Sequence, residues 1–285
     1  MARGWGLQLV VPLWQGSDEP GIAAGAERLA EMVDQSGLRR RVEPALGAND
    51  ECPVGEDSSL IKSHDAVAEH LHEATRILQS LAPRTVLTLG GDCTVEVAPI
   101  SHLATMYPDM RVVWIDAHAD LNTPESSPSG LAHGMPLRMI LGEGDPELVP
   151  STTLAPDRVA LLGTRSIDPP EREFIETYGV PLLSSRQLQE EPRSLAGLIE
   201  SWLPAGVPLY VHLDLDVLDP GVWPAVALPV PDGLDVSHVV EVIEALRDRG
   251  DVVGVGITEY VPGGRHDPAT LRPVLQALDL DARDQ

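Results

Sequence analysis

Side chains that can bind metal ions or move protons directly follow four short apolar runs of the sequence. These side chains are Cys93, Asp116, His118, Asp120, Asp214, Asp216 and Glu259. In the motifs DAHAD and DLD the charged residues alternate with small or apolar ones, so an extended segment places them on one side. Carboxylates buried together in this way would be destabilising without cations to balance their charge. The set therefore predicts a metal site.

Carboxylates combined with an imidazole suit hard or borderline divalent ions, and Mn²⁺ is the natural candidate. The carboxylates are more than one ion needs, and bridging carboxylates hold two ions about 3.5–4 Å apart. Cys93, in GGDCT (90–94), is open to three interpretations: a metal ligand, an inert small residue, or a nucleophile. A thiolate bound to metal is not free to attack a substrate.

Short runs rich in β-branched residues and leucine predict the strands that position these side chains. The runs are LQLVVPL (7–13), RRVEP (40–44), TVLTL (85–89), RVVWI (111–115), RVALL (158–162), VPLL (180–183), PLYVHL (208–213) and VVGVGI (252–257). Helical patterns lie between them, at 23–35, 64–81, 194–203 and 236–250. This alternation predicts an α/β fold with one doubly wound parallel sheet, in a single domain over residues 1–285. Ligands bind at the carboxyl ends of the strands in such sheets, where the charged residues fall.

The composition narrows the possible partners. A net charge of −24 argues against nucleic acid and against an anionic membrane, and it is compatible with a cationic small molecule. No apolar run is long enough to span a membrane. The two cysteines give no sign of a disulfide scaffold, so a reducing cytoplasm is the simplest location. Cys52 receives no function, and whether the segment 44–62 forms a lid is left open.

Five motifs resemble, in order and spacing, the ureohydrolases, the family of arginase, agmatinase and their relatives. They are GGDCT, DAHADLNTP, SGLAHG (129–134), HLDLDVLDP and GITEY, between about residues 85 and 262. The resemblance implies a three-layer α/β fold around an eight-stranded parallel sheet. It also implies two Mn²⁺ ions per chain, hydrolysis of C–N bonds, and assembly as a homo-oligomer, a trimer or hexamer.

The resemblance also implies which residues bind the metals. The implied ligands are Cys93, Asp116, His118, Asp120, Asp214 and Asp216. Asp116 and Asp214 would bridge the two ions, with Cys93 and Asp120 completing one ion and the remaining two residues the other. Most of the family has histidine where this chain has Cys93. A thiolate there leaves softer ions such as Zn²⁺ or Fe²⁺ open as alternatives to Mn²⁺.

By the same resemblance, a hydroxide bridging the two ions attacks the guanidino carbon. Asp120 would orient that hydroxide, and His133 in AHG would carry a proton to the leaving amine. Glu259 would pair with the cationic guanidinium. On its own, His133 would be read as an ordinary loop histidine.

The loop after DAHAD is expected to choose the substrate. Asn122 and Ser129 match positions that read the α-carboxylate in arginases, whereas Leu131 departs from the family pattern. Asp168 matches the reader of the α-amino group, with Glu171 as a nearby acidic partner. An arginine-type amino acid is therefore favoured, either L-arginine or Nω-hydroxy-L-arginine. Cysteine at the first ligand position also occurs in a small group of arginase-like hydrolases that release ornithine and hydroxyurea.

Other functions stay open at this point. Agmatinases lack the pattern that reads an amino acid, and formimino-type amidinohydrolases usually lack the His-Gly of AHG. A zinc deacetylase of the same fold, with one metal, would leave Asp120 and Cys93 unexplained. The chain would instead be a binding protein on a catalytically weak ureohydrolase scaffold if Cys93 left one metal position poorly occupied, a difference that metal content would reveal.

Overall fold

A computed structural model describes residues 4–34, 36–43, 59–264 and 266–280. Within these residues eight parallel strands form one sheet, in the order β2-β1-β3-β8-β7-β4-β5-β6. The strands are β1 (Leu7–Val10), β2 (Arg39–Arg41), β3 (Val86–Leu89), β4 (Arg111–Ile115), β5 (Val159–Gly163), β6 (Leu182–Ser184), β7 (Pro208–Asp214) and β8 (Asp251–Thr258). All eight predicted strands are confirmed. Cys52 and the segment 44–58, most of the possible lid, lie outside the described residues.

Helices cover both faces of the sheet. They are α1 (Gly21–Met32), α2 (His64–Leu81), α3 (Val97–Met106), α4 (Pro136–Ile140), α5 (Pro169–Tyr178), α6 (Ser185–Glu190), α7 (Pro192–Trp202), α8 (Val236–Arg249) and α9 (Arg272–Ala277). The four predicted helices are α1, α2, α7 and α8: α2 has the predicted ends, and the ends of the other three differ from the prediction by at most three residues. The prediction missed the other five helices; of these, α3 is buried along most of its length and so lacks an amphipathic pattern. It also took 122–136 as loop throughout, whereas a 3₁₀ turn forms at Ala132–Gly134.

Two apolar layers hold the helices to the sheet. Alternate residues of β4 point to opposite faces, as the pleat of a strand requires. Val113 and Ile115 belong to the layer with α1, α7, α8 and α9, and Val112 and Trp114 to the layer with α2 and α3. The result is the three-layer α/β architecture that was expected. Among the described residues, no helix has both the length and the apolar character to cross a bilayer.

The strand order gathers the charged motifs at one edge. After β3 the chain crosses to β4, and β7 and β8 later fill the space between them. The carboxyl ends of β3, β8, β7, β4 and β5 therefore lie side by side. A reversal of strand order of this kind opens a crevice at the strand ends, which is where α/β sheets bind ligands.

Candidate active site

The crevice brings all six predicted metal ligands together. Their ligand atoms fall into three sets, each with all members within 4.8 Å of one another. The sets are Cys93 with Asp116, Asp120 and His212; Cys93 with Asp214 and Glu259; and Asp116 with His118 and Asp216. His212 is an addition that the sequence reading did not single out. Asp116 and Cys93 each belong to two sets, whereas Asp214 belongs to one.

Cys93 begins a 3₁₀ turn that follows β3. Asp92 caps this turn by accepting the N–H of Thr94 at 3.0 Å. Gly91 is required just before it, because a Cβ there would overlap the backbone carbonyl of Leu13. The GGDCT motif thus makes a tight corner that points the cysteine into the crevice.

The Cys93 side chain is buried and surrounded by acidic groups. Its thiol donates to Oδ2 of Asp214 at 3.0 Å, and its backbone N–H donates to Oε1 of Glu259 at 3.2 Å. Burial, followed by the charges of Asp214 and Asp120, raises the pKa of the thiol well above its ordinary value. A divalent cation would be needed to take the place of that proton.

The two Asp-rich motifs fold in the same way. Asp116 Oδ1 accepts the N–H of His118 at 2.6 Å, and Asp214 Oδ1 accepts the N–H of Asp216 at 2.7 Å. In each motif the first carboxylate fixes the turn that presents the residue two positions later. Trp114 adds a further restraint, because its Nε1 donates to Oδ2 of Asp116 at 3.0 Å.

His118 lies between two of these carboxylates. Its Nδ1 is 2.9 Å from Asp216 Oδ2 and 3.6 Å from Asp116 Oδ1. Burial opposes protonation of the ring, but the charges and hydrogen bonds of the two aspartates outweigh it and raise the pKa of His118. The imidazole and both carboxylates therefore converge on the same small volume.

Two acidic residues at the crevice adopt left-handed backbone angles, with φ of 53° at Asp120 and 63° at Glu259. Such angles are uncommon for residues other than glycine, asparagine or aspartate, and they persist only where the surrounding structure imposes them. Asp120 Oδ2 is buried and has no hydrogen-bond partner among the described residues. Both side chains line the crevice, and Glu259 adopts its backbone angle there at a conformational cost.

The charge of the cluster calls for cations. Burial, followed by repulsion from neighbouring carboxylates, raises the pKa of Asp120 and of Asp214 well above the ordinary range, and the pKa of Asp216 to about 6. Without a cation the raised pKa values favour the protonated forms of Asp120 and Asp214, and divalent ions would replace those protons. Carboxylate, imidazole and thiolate donors together fit divalent transition metals, so the residues present suit the metals that the sequence predicts.

Comparison with known proteins shows which family the chain belongs to. A family model described as the Arginase family matches residues 9–277. The chain belongs to the arginase family. The arginase of Eremothecium gossypii is 32% identical over 270 residues, which cover 91% of this chain and 60% of that protein. The chain therefore spans less than two thirds of that relative's length.

Solved structures of arginases share the fold. The arginase of Bacillus caldovelox aligns with a TM-score of 0.81 and 25% identity, covering 96% of this chain and 97% of that one. The arginase of Entamoeba histolytica, solved in complex with L-ornithine, aligns with a TM-score of 0.80 and 22% identity, covering 96% of each chain. The fold shared with these arginases thus extends over nearly the whole chain.

The predicted substrate-binding residues line a cavity of about 220 Å³ at the cluster of predicted metal ligands. Asn122 is buried, and its Nδ2 donates to Oδ2 of Asp168 at 2.9 Å. Ser129 is exposed at the rim, where Leu228 also lies. His133 and Glu259 lie on the wall nearest Cys93. The cavity therefore offers polar groups at both ends of an elongated cationic ligand.

Glu171 lines the same cavity, but its two carboxylate oxygens are already engaged. Oε1 accepts the N–H of Leu121 at 2.9 Å, and Oε2 accepts the N–H of Asp168 at 2.8 Å. The residue joins the DAHAD segment to the start of α5. We expect Glu171 to position Asp168 rather than to bind an amino group directly.

The sequence reading also missed Arg165, at the back of the site. Its guanidinium donates to the carbonyls of Gly163, Asp216, Val217, Val230 and Pro231 and to the hydroxyl of Ser185. One side chain thus fixes the ends of β5 and β7 relative to the loop before α8. Only the fold shows these contacts, because the carbonyls come from distant parts of the chain.

Proposed function

We propose that the protein is a hydrolase with two divalent metal ions that cleaves the guanidino C–N bond of an arginine-type amino acid. The substrate would be Nω-hydroxy-L-arginine or L-arginine, and the products ornithine with hydroxyurea or urea. The observation that carries the proposal is the convergence of the three ligand sets at the ends of neighbouring strands. Membership of the arginase family supports it, since relatives of this chain are arginases.

Six residues would hold the ions, as the sequence resemblance implies: Cys93, Asp116, His118, Asp120, Asp214 and Asp216. Mn²⁺ is the first candidate, and Cys93 favours softer ions such as Zn²⁺ or Fe²⁺ at its own position. Bound divalent ions lower the pKa of water and so supply a nucleophile at neutral pH. The buried, acid-lined surroundings of Cys93 support a ligand and not a free nucleophile, because they disfavour an unbound thiolate.

The chain's own groups would bind the substrate and move its protons. Glu259 would pair with the guanidinium, whose planar fork suits a carboxylate. Asp120, held toward the cluster, would accept a proton from the attacking water. His133 would then donate a proton to the leaving amine.

The other end of the substrate would reach the loop after β4 and the start of α5. Asn122 and Ser129 would bind the α-carboxylate, and Asp168 the α-amino group. The hydrogen bond between Asn122 and Asp168 supports this assignment, because it holds the two residues proposed to bind the α-carboxylate and the α-amino group side by side. Homo-oligomeric assembly and a cytoplasmic location stay predictions.

The test is product analysis after loading the protein with Mn²⁺ or Zn²⁺. L-arginine, Nω-hydroxy-L-arginine and agmatine are supplied separately, and ornithine, putrescine, urea and hydroxyurea are measured by mass spectrometry. Asp120→Asn serves as the inactive control. Ornithine from either amino acid supports the proposal, and the ratio of the two rates identifies the substrate.

Putrescine from agmatine without ornithine would replace the proposal with an agmatinase. No product from any of the three compounds, in protein that binds the metals, would favour the binding-protein alternative.

A further inference from the structure

His212 lies beside the proposed metal ligands on β7. It stands two residues before Asp214, so the pleat places both side chains on the same face of the sheet. Its ring is fully buried and stacks on Trp114, its partner across β4, with ring centroids 3.5 Å apart. The stacking therefore fixes the plane of the imidazole.

One nitrogen of this ring points into the cluster. Nε2 of His212 is 3.7 Å from Cys93 Sγ and 3.7 Å from Asp116 Oδ2. Donor atoms bound to one tetrahedral ion at 2.0–2.3 Å stand about 3.3–3.6 Å apart. The spacing of these three atoms is thus close to that of ligands sharing one ion, and Asp120 completes the set.

The other nitrogen faces a buried carboxylate. Nδ1 of His212 has no hydrogen-bond partner among the described residues, and Glu96 Oε2 lies 3.9 Å from it. Glu96 is fully buried, and Gly256 leaves the room that it fills, because a Cβ there would overlap the carboxylate. The 3.9 Å separation is too long for a hydrogen bond, so Glu96 would have to move closer to hold the proton on Nδ1 and leave the lone pair of Nε2 free for a metal.

We infer that His212 is a ligand of the ion that Cys93 binds, with Glu96 as the residue that orients it. The inference rests on the metal centre proposed above and extends its ligand set. Where the family resemblance leads one to expect an imidazole at position 93, this chain has a thiol there, after β3, and an imidazole on β7, with β8 between the two strands. The ligands of this ion would be Cys93, His212 and Asp120, together with Asp116 and Asp214, the two residues expected to bridge the ions. Sulfur and nitrogen donors in such a set favour Zn²⁺, Co²⁺ or Fe²⁺ over Mn²⁺.

The direct test is X-ray absorption spectroscopy of the native-sequence protein loaded with Zn²⁺. Binding by both His118 and His212 would give about one imidazole and about half a sulfur per ion, averaged over two ions. About half an imidazole per ion would overturn the inference, since His118 alone would account for it. This measurement does not depend on any variant folding.

Variants supply the second test, read as Co²⁺ bound per chain and as the Co²⁺ absorption spectrum. We expect His212→Asn to weaken binding of one ion by about 100-fold or more, and Glu96→Gln by about 10–100-fold. His72→Asn, on the exposed side of α2, is the matched control. Co²⁺ affinity and spectra of His212→Asn identical to those of the unchanged chain would also overturn the inference.

These readouts separate the inference from the proposed function. Loss of one ion in His212→Asn, in a protein that hydrolyses none of the guanidines offered, would keep the ligand and reject the reaction. Hydrolysis of a guanidine by the unchanged chain, together with metal binding that His212→Asn does not alter, would keep the reaction and reject His212 as a ligand.

Discussion

His133 and Glu259, which both line the cavity, contact each other. Nδ1 of His133 is 3.2 Å from Oε1 of Glu259, the same oxygen that accepts the N–H of Cys93. Burial opposes protonation of His133, but the hydrogen bond to Glu259 and the charges of Glu259 and Asp92 outweigh it and raise the pKa of the imidazole. A guanidinium that pairs with Glu259 would therefore arrive next to the group proposed to protonate its leaving nitrogen.

Removing the charge of Glu259 should abolish most of the affinity for the transition state. Glu259→Gln keeps an acceptor for the Cys93 N–H but loses the ion pair with the guanidinium. We expect kcat/KM for the preferred amino acid to fall by about 10²–10³-fold. Steady-state kinetics checks this, with Glu244→Gln on the exposed face of α8 as control. Unchanged kcat/KM would remove Glu259 from the substrate site.

Removing the imidazole of His133 should slow proton delivery without loss of metal. We expect His133→Asn to lower kcat by about 10²-fold or more, with KM and metal content close to those of the unchanged protein. Added imidazole should restore part of the rate. A rise in KM at unchanged kcat would show that His133 binds substrate instead of moving a proton.

Arg165 should be essential for the stability of the site. Arg165→Met leaves buried carbonyls at the ends of β5 and β7 without their donor, and we expect the free energy of unfolding to fall by about 3 kcal/mol. Urea denaturation measures this. Arg186→Met is the matched control, because the Arg186 side chain is 82% exposed. Equal stability of both variants would show that the Arg165 hydrogen bonds contribute little.

His64 should make stability depend on pH. The ring is buried at the start of α2, and its Nε2 lies 3.3 Å from Asp145 Oδ1. Burial lowers the pKa of His64, but the interactions with Asp145 and Asp65 outweigh it, so the net shift is upward. A raised pKa stabilises the fold fully below the unfolded value of about 6.5, and that stabilisation is lost as pH rises through the folded value.

Asp145→Asn keeps the acceptor for the Glu147 N–H but removes the charge that faces His64. We expect the metal-free variant to be less stable than the unchanged chain by about 0.5–1 kcal/mol at pH 5.5, with the difference vanishing above about pH 8. Urea denaturation at the two pH values checks this. A difference that grows with pH would contradict the assignment.

The strands and the clustering of the acidic motifs were predictable because both leave local patterns. Runs such as TVLTL and RVVWI are apolar on both faces, and Asp116, His118 and Asp120 directly follow one of them. The alternation of DAHAD and DLD also indicated which side chains share a side.

Other parts of the site depend on contacts that the sequence does not display. Arg165 is bound to carbonyls as far away as Pro231, so no local pattern reveals it. His212 did leave a signal, since it precedes Asp214 by two residues on the same strand face, but its place in an apolar run reads as core. The sequence placed Glu171 among the substrate-binding residues. Only the structure shows that backbone N–H groups occupy both of its carboxylate oxygens.

The central claim is that the clustered ligands hold two ions which together support hydrolysis of an arginine-type amino acid. The most direct test measures ornithine formation as metal-free protein is titrated with Mn²⁺ or Zn²⁺, with bound metal determined for each sample by mass spectrometry. The account predicts that the rate per chain rises until about two ions are bound and is near zero in Asp116→Asn. A rate that saturates at one ion per chain, or no ornithine at two, would contradict it.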